Sequence, residues 1–289
     1  MYNRFLEYLL DYNPQKVLSK KGVTIRKIIS PVLRFIVPFV APNSKLKIVR
    51  RSAIPKKPVI FAATHGFRED AEYTVVMAGR HAYVLNGSLK TVFNSFAGIA
   101  SWLNGMILVN REDKQSRNAA KEKMIYALKL GTSIIMYPEG TWNKSPNELV
   151  IGLFPGVYDV AKASGALVVP IATCRKGNKT YGIREEAFDI CRYSREEGIK
   201  ILRDKMATMQ YEMIERFDKC KRSLLPYGIE ANEYWQSYID SLVNEAKFYE
   251  HELEKHAKYR EKGVTNKTEA FAFMEKLRPN AKNAFLYRK

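Results

Sequence analysis

The stretch Val59-Ile60-Phe61-Ala62-Ala63-Thr64-His65-Gly66-Phe67-Arg68-Glu69-Asp70 joins an apolar run to a short polar loop. The apolar run Val59–Ala63 predicts a buried strand that ends at His65. Residues 69–81 predict a helix, because acidic residues occupy its first turn and lie favourably at the positive end of a helix dipole. A buried strand that leads directly into a helix is typical of an α/β domain.

Short apolar runs and helical patterns continue to alternate along the chain after this stretch. We predict strands at residues 106–110, 133–137 and 167–173. We predict helices at residues 94–103, 116–130 and 156–163. Nearly continuous apolar runs are typical of parallel strands that are covered on both faces. The expected fold is therefore α/β, with a central mixed, largely parallel sheet flanked by helices.

A histidine and a carboxylate, His65 and Asp70, stand five positions apart at the end of the first predicted strand. An imidazole titrates near neutral pH and can therefore take a proton from a hydroxyl group. A neighbouring carboxylate would hold the imidazole in one tautomer and stabilise its cation. The pair alone is also compatible with an ordinary core or surface histidine, so the interpretation depends on the segments that follow.

Three further segments follow in a fixed order. They are Gly105-Met106-Ile107-Leu108-Val109-Asn110-Arg111, Pro138-Glu139-Gly140-Thr141 and Val168-Val169-Pro170-Ile171-Ala172. Arg111 comes at the C-terminal end of a predicted strand, the edge at which α/β sheets usually bind ligands. Its planar guanidinium suits bidentate binding of a phosphate. In Pro138-Glu139-Gly140-Thr141 the glycine permits close approach of a ligand to the backbone, and Thr141 can reach an anionic oxygen.

Read in order, H-x4-D, G-x5-R, P-E-G-T and V-V-P-I-A resemble the four sequence blocks of the glycerolipid acyltransferases, the family that includes lysophosphatidic acid acyltransferase. The resemblance covers residues 58–180 and implies that His65 is the general base and Asp70 its partner. It also implies that the PEGT block helps to form the acceptor site. The substrate-binding residues predicted in this way are Arg111, Glu139, Gly140 and Thr141. The block from Val168 to Ala172 is expected to be a buried strand without a catalytic role.

The chain departs from the family pattern directly after the third block. The family usually has an arginine there, whereas this chain has Trp142, followed by Asn143 and Lys144. An indole cannot replace a guanidinium at a phosphate site. Lys144 is a candidate for the missing positive charge. The departure leaves the identity of the acceptor more open than the acyl transfer itself.

Positive charge is concentrated near the N-terminus. The formal net charge is +18, and residues 1–60 contain 13 Lys and Arg but 2 Asp and Glu. Long aliphatic side chains at positions 25, 28, 29, 32, 33 and 36 share one face of a predicted helix. We expect residues 1–57 to form a basic amphipathic segment that associates with an anionic membrane surface. Charged residues and prolines argue against a simple transmembrane helix, and packing of this face onto the domain is the alternative.

Residues 58–192 are expected to form the α/β core, and residues 193–289 a helical extension without a catalytic role. Ser194-Arg195-Glu196-Glu197 matches a capping box, and apolar residues follow it at helical spacing as far as residue 217. Residues 233–262 predict a second long helix. Three cysteines, Cys174, Cys191 and Cys220, suit reduced thiols rather than a disulfide framework or a zinc site.

The sequence therefore predicts an acyltransferase at the cytoplasmic face of the cell membrane, peripheral or monotopic. Its expected reaction moves a fatty acyl group from acyl-CoA or acyl-carrier protein to the free hydroxyl of a lysophospholipid, foremost 1-acylglycerol-3-phosphate, giving phosphatidic acid. No cofactor, metal ion or nucleic acid is expected, because no motif for any of them is present. The alternatives are a different lysolipid acceptor, or a catalytically silent membrane-lipid-binding protein. The acyl chain length, the donor and the oligomeric state stay open at this level.

Overall fold

A computed structural model describes residues 7–40, 44–67, 69–87, 96–143 and 148–217. A seven-stranded sheet lies at its centre. The strands are β1 (Lys45–Arg51), β2 (Val59–Ala63), β3 (Ala82–Asn86), β4 (Met106–Leu108), β5 (Ser133–Met136), β6 (Leu167–Lys176) and β7 (Lys179–Arg184). They are hydrogen-bonded in the order β1-β7-β6-β2-β5-β3-β4.

Five neighbouring strands, from β6 to β4, run parallel to one another. Strand β7 turns back antiparallel to β6, and β1 runs parallel to β7 at the edge of the sheet. The prediction of a mixed, largely parallel sheet is therefore confirmed. Because β2, β5, β3 and β4 point the same way, the loops that follow them meet at one edge of the sheet.

Helices cover the sheet on both faces. They are α1 (Pro14–Val17), α2 (Lys20–Val40), α3 (Asp70–Ala78), α4 (Phe96–Asn104), α5 (Lys114–Lys129), α6 (Gly156–Ser164) and α7 (Arg195–Phe217). Side chains of β2 alternate between the two faces: Ile60 packs in a core with residues of α5, α6 and α7, and Phe61 packs with Met77 of α3. Every residue of β2 is completely buried. The first predicted strand is thus a central strand of the domain.

Three strands were missing from the sequence-based prediction. Strand β1 alternates basic and apolar residues, so it resembled part of the basic N-terminal segment. Strand β3 follows α3 so closely that the predicted helix extended to residue 81, whereas α3 ends at Ala78 because Gly79 closes it. Strand β7 is a short hairpin partner of β6. As a result, the sheet begins at Lys45, within the segment 1–57 that was expected to lie outside the α/β core.

Helix α2 has one exposed apolar face. We call its five exposed side chains, each about half to three quarters accessible, the α2 stripe: Ile25, Ile28, Val32, Phe35 and Phe39. Val23 and Ser30 on the opposite side of the helix are buried. Other members of the predicted face, at positions 29, 33 and 36, are half-buried. Within the described residues, no helix combines the length and hydropathy needed to cross a bilayer.

Helix α7 begins as its capping box predicts, because the backbone N–H of Glu197 donates to the Ser194 hydroxyl at 3.2 Å. Its methionines, Met206, Met209 and Met213, are buried in the main core. They therefore serve ordinary helix packing. The second predicted helix, at residues 233–262, and Cys220 lie outside the described residues.

Candidate active site

The predicted site residues come from loops at one edge of the sheet. His65 follows β2, the PEGT block follows β5, and Arg111 follows β4. In the sheet, β5 lies next to β2, and β3 separates β5 from β4. The parallel strands thus bring together residues that are up to 76 positions apart in the sequence, between His65 and Thr141.

His65 and Asp70 form a close pair. The imidazole Nδ1 lies 2.9 Å from Oδ2 and 3.0 Å from Oδ1 of Asp70. The buried carboxylate also accepts hydrogen bonds from the backbone N–H groups of Gly66 at 2.7 Å and Phe67 at 3.2 Å. Asp70 is the first residue of α3, where the helix dipole favours a negative charge. With Nδ1–H donating to Asp70, the Nε2 atom is the proton acceptor of the ring.

Glu139 is almost completely buried, with 1% of its surface exposed. One carboxylate oxygen accepts from the backbone N–H of His65 at 2.9 Å, and the other accepts from the backbone N–H of Ile151 at 3.1 Å. The side chain thus joins the histidine loop to the chain that leads into α6. This arrangement uses both oxygens of Glu139 inside the protein, away from the solvent-facing side of the loop.

The loop after β5 is also fixed to the backbone of His65 on its other side. The His65 carbonyl accepts from the backbone N–H of Asn143 at 2.7 Å. Within the loop, the N–H of Gly140 donates to the carbonyl of Tyr137 at 2.9 Å and closes a turn. Both backbone polar groups of His65 are therefore bonded to the PEGT loop, one to Glu139 and one to Asn143.

Two aromatic rings contact the imidazole of His65. The Tyr137 ring centroid lies 4.5 Å from the imidazole centroid, at an interplanar angle of 32°. The Trp142 ring lies 5.9 Å away and is nearly perpendicular, at 85°. Burial, followed by the negative charge of Asp70, raises the pKa of Tyr137 well above its usual value, so its phenol stays neutral. These contacts were not predicted, because sequence spacing does not show which rings will meet.

Arg111 reaches the PEGT loop across the end of β3. Its guanidinium donates a hydrogen bond to the carbonyl of Gly140. Gly87, directly after β3, leaves the room for this approach, since a Cβ atom there would lie 2.2 Å from Nε of Arg111. Gly140 itself has a φ of 71° and lies against the ring of Phe154, 2.5 Å from the position of an added Cβ. Glycine is therefore required at both positions for the observed geometry.

The other residues that the sequence analysis singled out are Thr141, Lys144 and the block from Val168 to Ala172. Thr141 is half-buried in the turn after Gly140, beside Trp142. Lys144 lies outside the described residues. The block Val168–Ala172 belongs to β6, pairs with β2 and is fully buried.

A contribution from α7 could not have been predicted from the four blocks. The side-chain amide of Gln210 donates to the Thr64 hydroxyl at 3.0 Å and to the carbonyl of Thr173 at 2.9 Å. The same hydroxyl accepts from the backbone N–H of Thr173 at 3.1 Å. Helix α7 therefore supports the residue that directly precedes His65. The sequence showed only that apolar residues of this segment recur at helical spacing.

Comparison with known proteins shows what this part of the chain is similar to. The family model described as Acyltransferase matches residues 45–173. A 1-acyl-sn-glycerol-3-phosphate acyltransferase from Chlamydomonas reinhardtii is 27% identical over 140 residues, which are 48% of this chain and 41% of that protein. This chain thus spans less than half the length of that relative.

Among solved structures, the 1-acyl-sn-glycerophosphate (LPA) acyltransferase PlsC from Thermotoga maritima aligns with 76% of this chain and 90% of its own, at 17% identity and a TM-score of 0.49. The family match begins at β1, ends in β6 and contains all four sequence blocks. Residues 45–173 are therefore similar to the Acyltransferase family over the segment that contains all four blocks.

Proposed function

We propose that this protein transfers a fatty acyl group from acyl-CoA or acyl-carrier protein to the free hydroxyl of a lysophospholipid, foremost 1-acylglycerol-3-phosphate, giving phosphatidic acid. The observation that carries this proposal is the buried Asp70 carboxylate on Nδ1 of His65, within the residues that match the Acyltransferase family model. The activity named for the Chlamydomonas relative supports the choice of acceptor.

In the proposed reaction, Nε2 of His65 takes the proton of the acceptor hydroxyl while its oxygen attacks the thioester carbonyl. The tetrahedral intermediate then collapses, the bond between carbon and sulfur breaks, and the proton passes from Nε2 to the departing thiolate. Asp70 stabilises the imidazolium that exists between these steps. The acceptor itself supplies the nucleophile, so the protein need not form an acyl intermediate.

Arg111 is the proposed ligand of the acceptor phosphate. Its side chain extends to Gly140, at the same edge of the sheet as His65. A guanidinium binds a phosphate monoester through paired, charge-assisted hydrogen bonds. Gly140 and Thr141 are the proposed neighbours of the same phosphate. Glu139 is proposed to position His65, because its two oxygens accept backbone hydrogen bonds on either side of the loop.

The α2 stripe supports association with a membrane. Five exposed apolar side chains on one helix form a patch that is unusual for a surface in water. Lys20 and Lys21, exposed at the start of α2, add positive charge suited to anionic lipids. Lys27, in contrast, is held to the domain, because its ammonium donates to the carbonyl of Gly131. We propose that α2 lies in the interface as a peripheral anchor on the cytoplasmic face.

A different lysolipid acceptor is the second candidate. It is favoured by Trp142, which replaces the arginine that is usual after the third block. A catalytically silent lipid-binding protein is disfavoured by the close pair of His65 and Asp70, which such a protein would not need.

An acyl-transfer assay with the purified protein tests the proposal. Lysophosphatidic acid and lysolipids with glycerol, ethanolamine or choline head groups are each presented in anionic vesicles with acyl-CoA or acyl-carrier protein. Mass spectrometry identifies the products. We expect a diacyl product, formed fastest with lysophosphatidic acid. A faster reaction with another head group would select the second candidate, and absence of any diacyl product would contradict the proposed function.

A further inference from the structure

We propose that Trp142 is a positioning residue for His65. Its indole and the Tyr137 ring both contact the imidazole and keep Nε2 facing the acceptor hydroxyl. The kinetic part of this proposal rests on the proposed acyl transfer. The structural part, that the indole restrains and shields the imidazole, does not.

The backbone fixes Trp142 beside His65. The His65 N–H donates to Glu139, three residues before Trp142, and the His65 carbonyl accepts from Asn143, directly after it. These two hydrogen bonds, of 2.9 and 2.7 Å, hold the loop against His65 on both sides of Trp142. These bonds hold the backbone of Trp142 next to His65, and its indole contacts the imidazole from there.

The imidazole needs such a restraint. Asp70 holds it at Nδ1, but a hydrogen bond at one ring atom leaves the ring free to tilt about that atom. Tyr137 and Trp142 contact the ring at 4.5 and 5.9 Å between centroids, and Trp142 meets it in the edge-to-face arrangement that aromatic pairs prefer. About a fifth of the His65 side chain, 20%, stays exposed. That exposed part is the surface through which Nε2 must meet the acceptor.

The chemistry of the indole suits this role. An arginine at position 142 would bring a second cation toward a ring that must itself become a cation during the reaction, and like charges disfavour that step. The indole supplies contact surface without a charge. Arg111, whose guanidinium reaches the Gly140 carbonyl of the PEGT loop, then remains the proposed cation for an acceptor phosphate.

Kinetics of Trp142→Ala and Trp142→Phe test the positioning role. Loss of one aromatic contact should lower kcat for Trp142→Ala by about three- to tenfold, while KM for lysolipid and for thioester stays close to wild type. Trp142→Phe retains a ring and should restore most of kcat. Trp102→Phe is the matched control, because Trp102 packs with Leu9 and β4, three strands away from β2. A rise in the lysolipid KM of Trp142→Ala with unchanged kcat would overturn the proposal, because Trp142 would then bind the acceptor.

The reactivity of His65 tests the structural part without any acyl transfer. The proteins are treated with diethylpyrocarbonate, and the rate of modification of each histidine is followed by peptide mass spectrometry. Loss of the indole should speed modification of His65 about threefold or more in Trp142→Ala but not in Trp142→Phe. His81, which is 5% exposed, is the internal reference for an intact fold. Equal His65 rates in all three proteins would overturn the proposal. If wild type forms no diacyl lipid but the expected rates are found, the proposed function fails and the positioning of His65 stands.

Discussion

Glu139 distinguishes two explanations of the PEGT block. The family resemblance implies that this residue helps to form the acceptor site. In the structure its carboxylate is buried and accepts hydrogen bonds from the backbone of His65 and Ile151. If its role is to position His65, substitution should alter stability and kcat together. If it binds the acceptor, substitution should alter the acceptor KM.

The expected magnitude follows from these two hydrogen bonds. Hydrogen bonds to a charged group contribute about 1.5–3 kcal/mol each, and a buried N–H left without a partner costs about 1–3 kcal/mol. Glu139→Gln replaces one acceptor oxygen by an amino group that faces a backbone donor, so we expect a loss of about 1.5–3 kcal/mol in the free energy of unfolding. Glu139→Ala leaves two buried donors unpaired and should lose about 2–6 kcal/mol.

Urea unfolding and steady-state acyl-transfer kinetics measure the two quantities on the same variants. We expect Glu139→Gln to fold, with kcat lowered on the order of tenfold and the acceptor KM nearly unchanged, since a small displacement of a catalytic group is costly. Glu196→Gln is the control, because Glu196 is an exposed carboxylate in the first turn of α7. Wild-type stability and kcat with a raised acceptor KM would refute the positioning role and favour the acceptor site.

Further predictions concern the proposed phosphate site at Arg111, the α2 stripe and the buried His81. Arg111→Ala should lower kcat/KM for a phosphate acceptor on the order of ten- to a hundredfold, and Arg111→Lys less, because a lysine keeps the charge but loses the paired donors. Gly87→Ala should raise the KM for a phosphate acceptor in kinetic assays, because the Cβ of the new alanine would displace the Arg111 guanidinium. In liposome flotation, Ile28→Ser with Phe35→Ser should weaken binding to anionic vesicles, and salt should weaken it further, whereas indifference to both would favour a packed helix. Burial lowers the pKa of His81 to about 4, below its ordinary value of 6.5, so the unfolded chain binds the proton first. The stability present above pH 6.5 should therefore fall by about 3 kcal/mol as the pH drops to 4, and urea unfolding of His81→Gln should show a smaller fall.

Local sequence patterns predicted the central part of the fold well. Strands β2, β5 and β6 are buried on both faces, so their apolar runs are continuous and easily recognised. Strand β1 could not be recognised, because it lies at the sheet edge, four of its seven residues are exposed, and four are Lys or Arg. Its pairing with β7 is a contact between residues more than 130 positions apart, such as Lys45 and Lys179.

The candidate site was predictable only in part for the same reason. The pair of His65 and Asp70 is local, and its spacing is visible in the sequence. The enclosed carboxylate of Glu139, the ring contact of Trp142 and the support from Gln210 all depend on which loops meet in three dimensions. Trp142 illustrates the difference, because the sequence showed only that an arginine was missing there, whereas the structure shows what the indole contacts.

The central claim is that Nε2 of His65 removes the proton of the acceptor hydroxyl. The most direct test is the rate of diacyl lipid formation by His65→Ala, followed by mass spectrometry, with urea unfolding and vesicle flotation as checks of fold and membrane binding. We predict a loss on the order of 10²–10⁴ in rate with both checks unchanged, since removal of a general base has that effect. Wild-type turnover in a folded, membrane-binding His65→Ala protein would contradict the account.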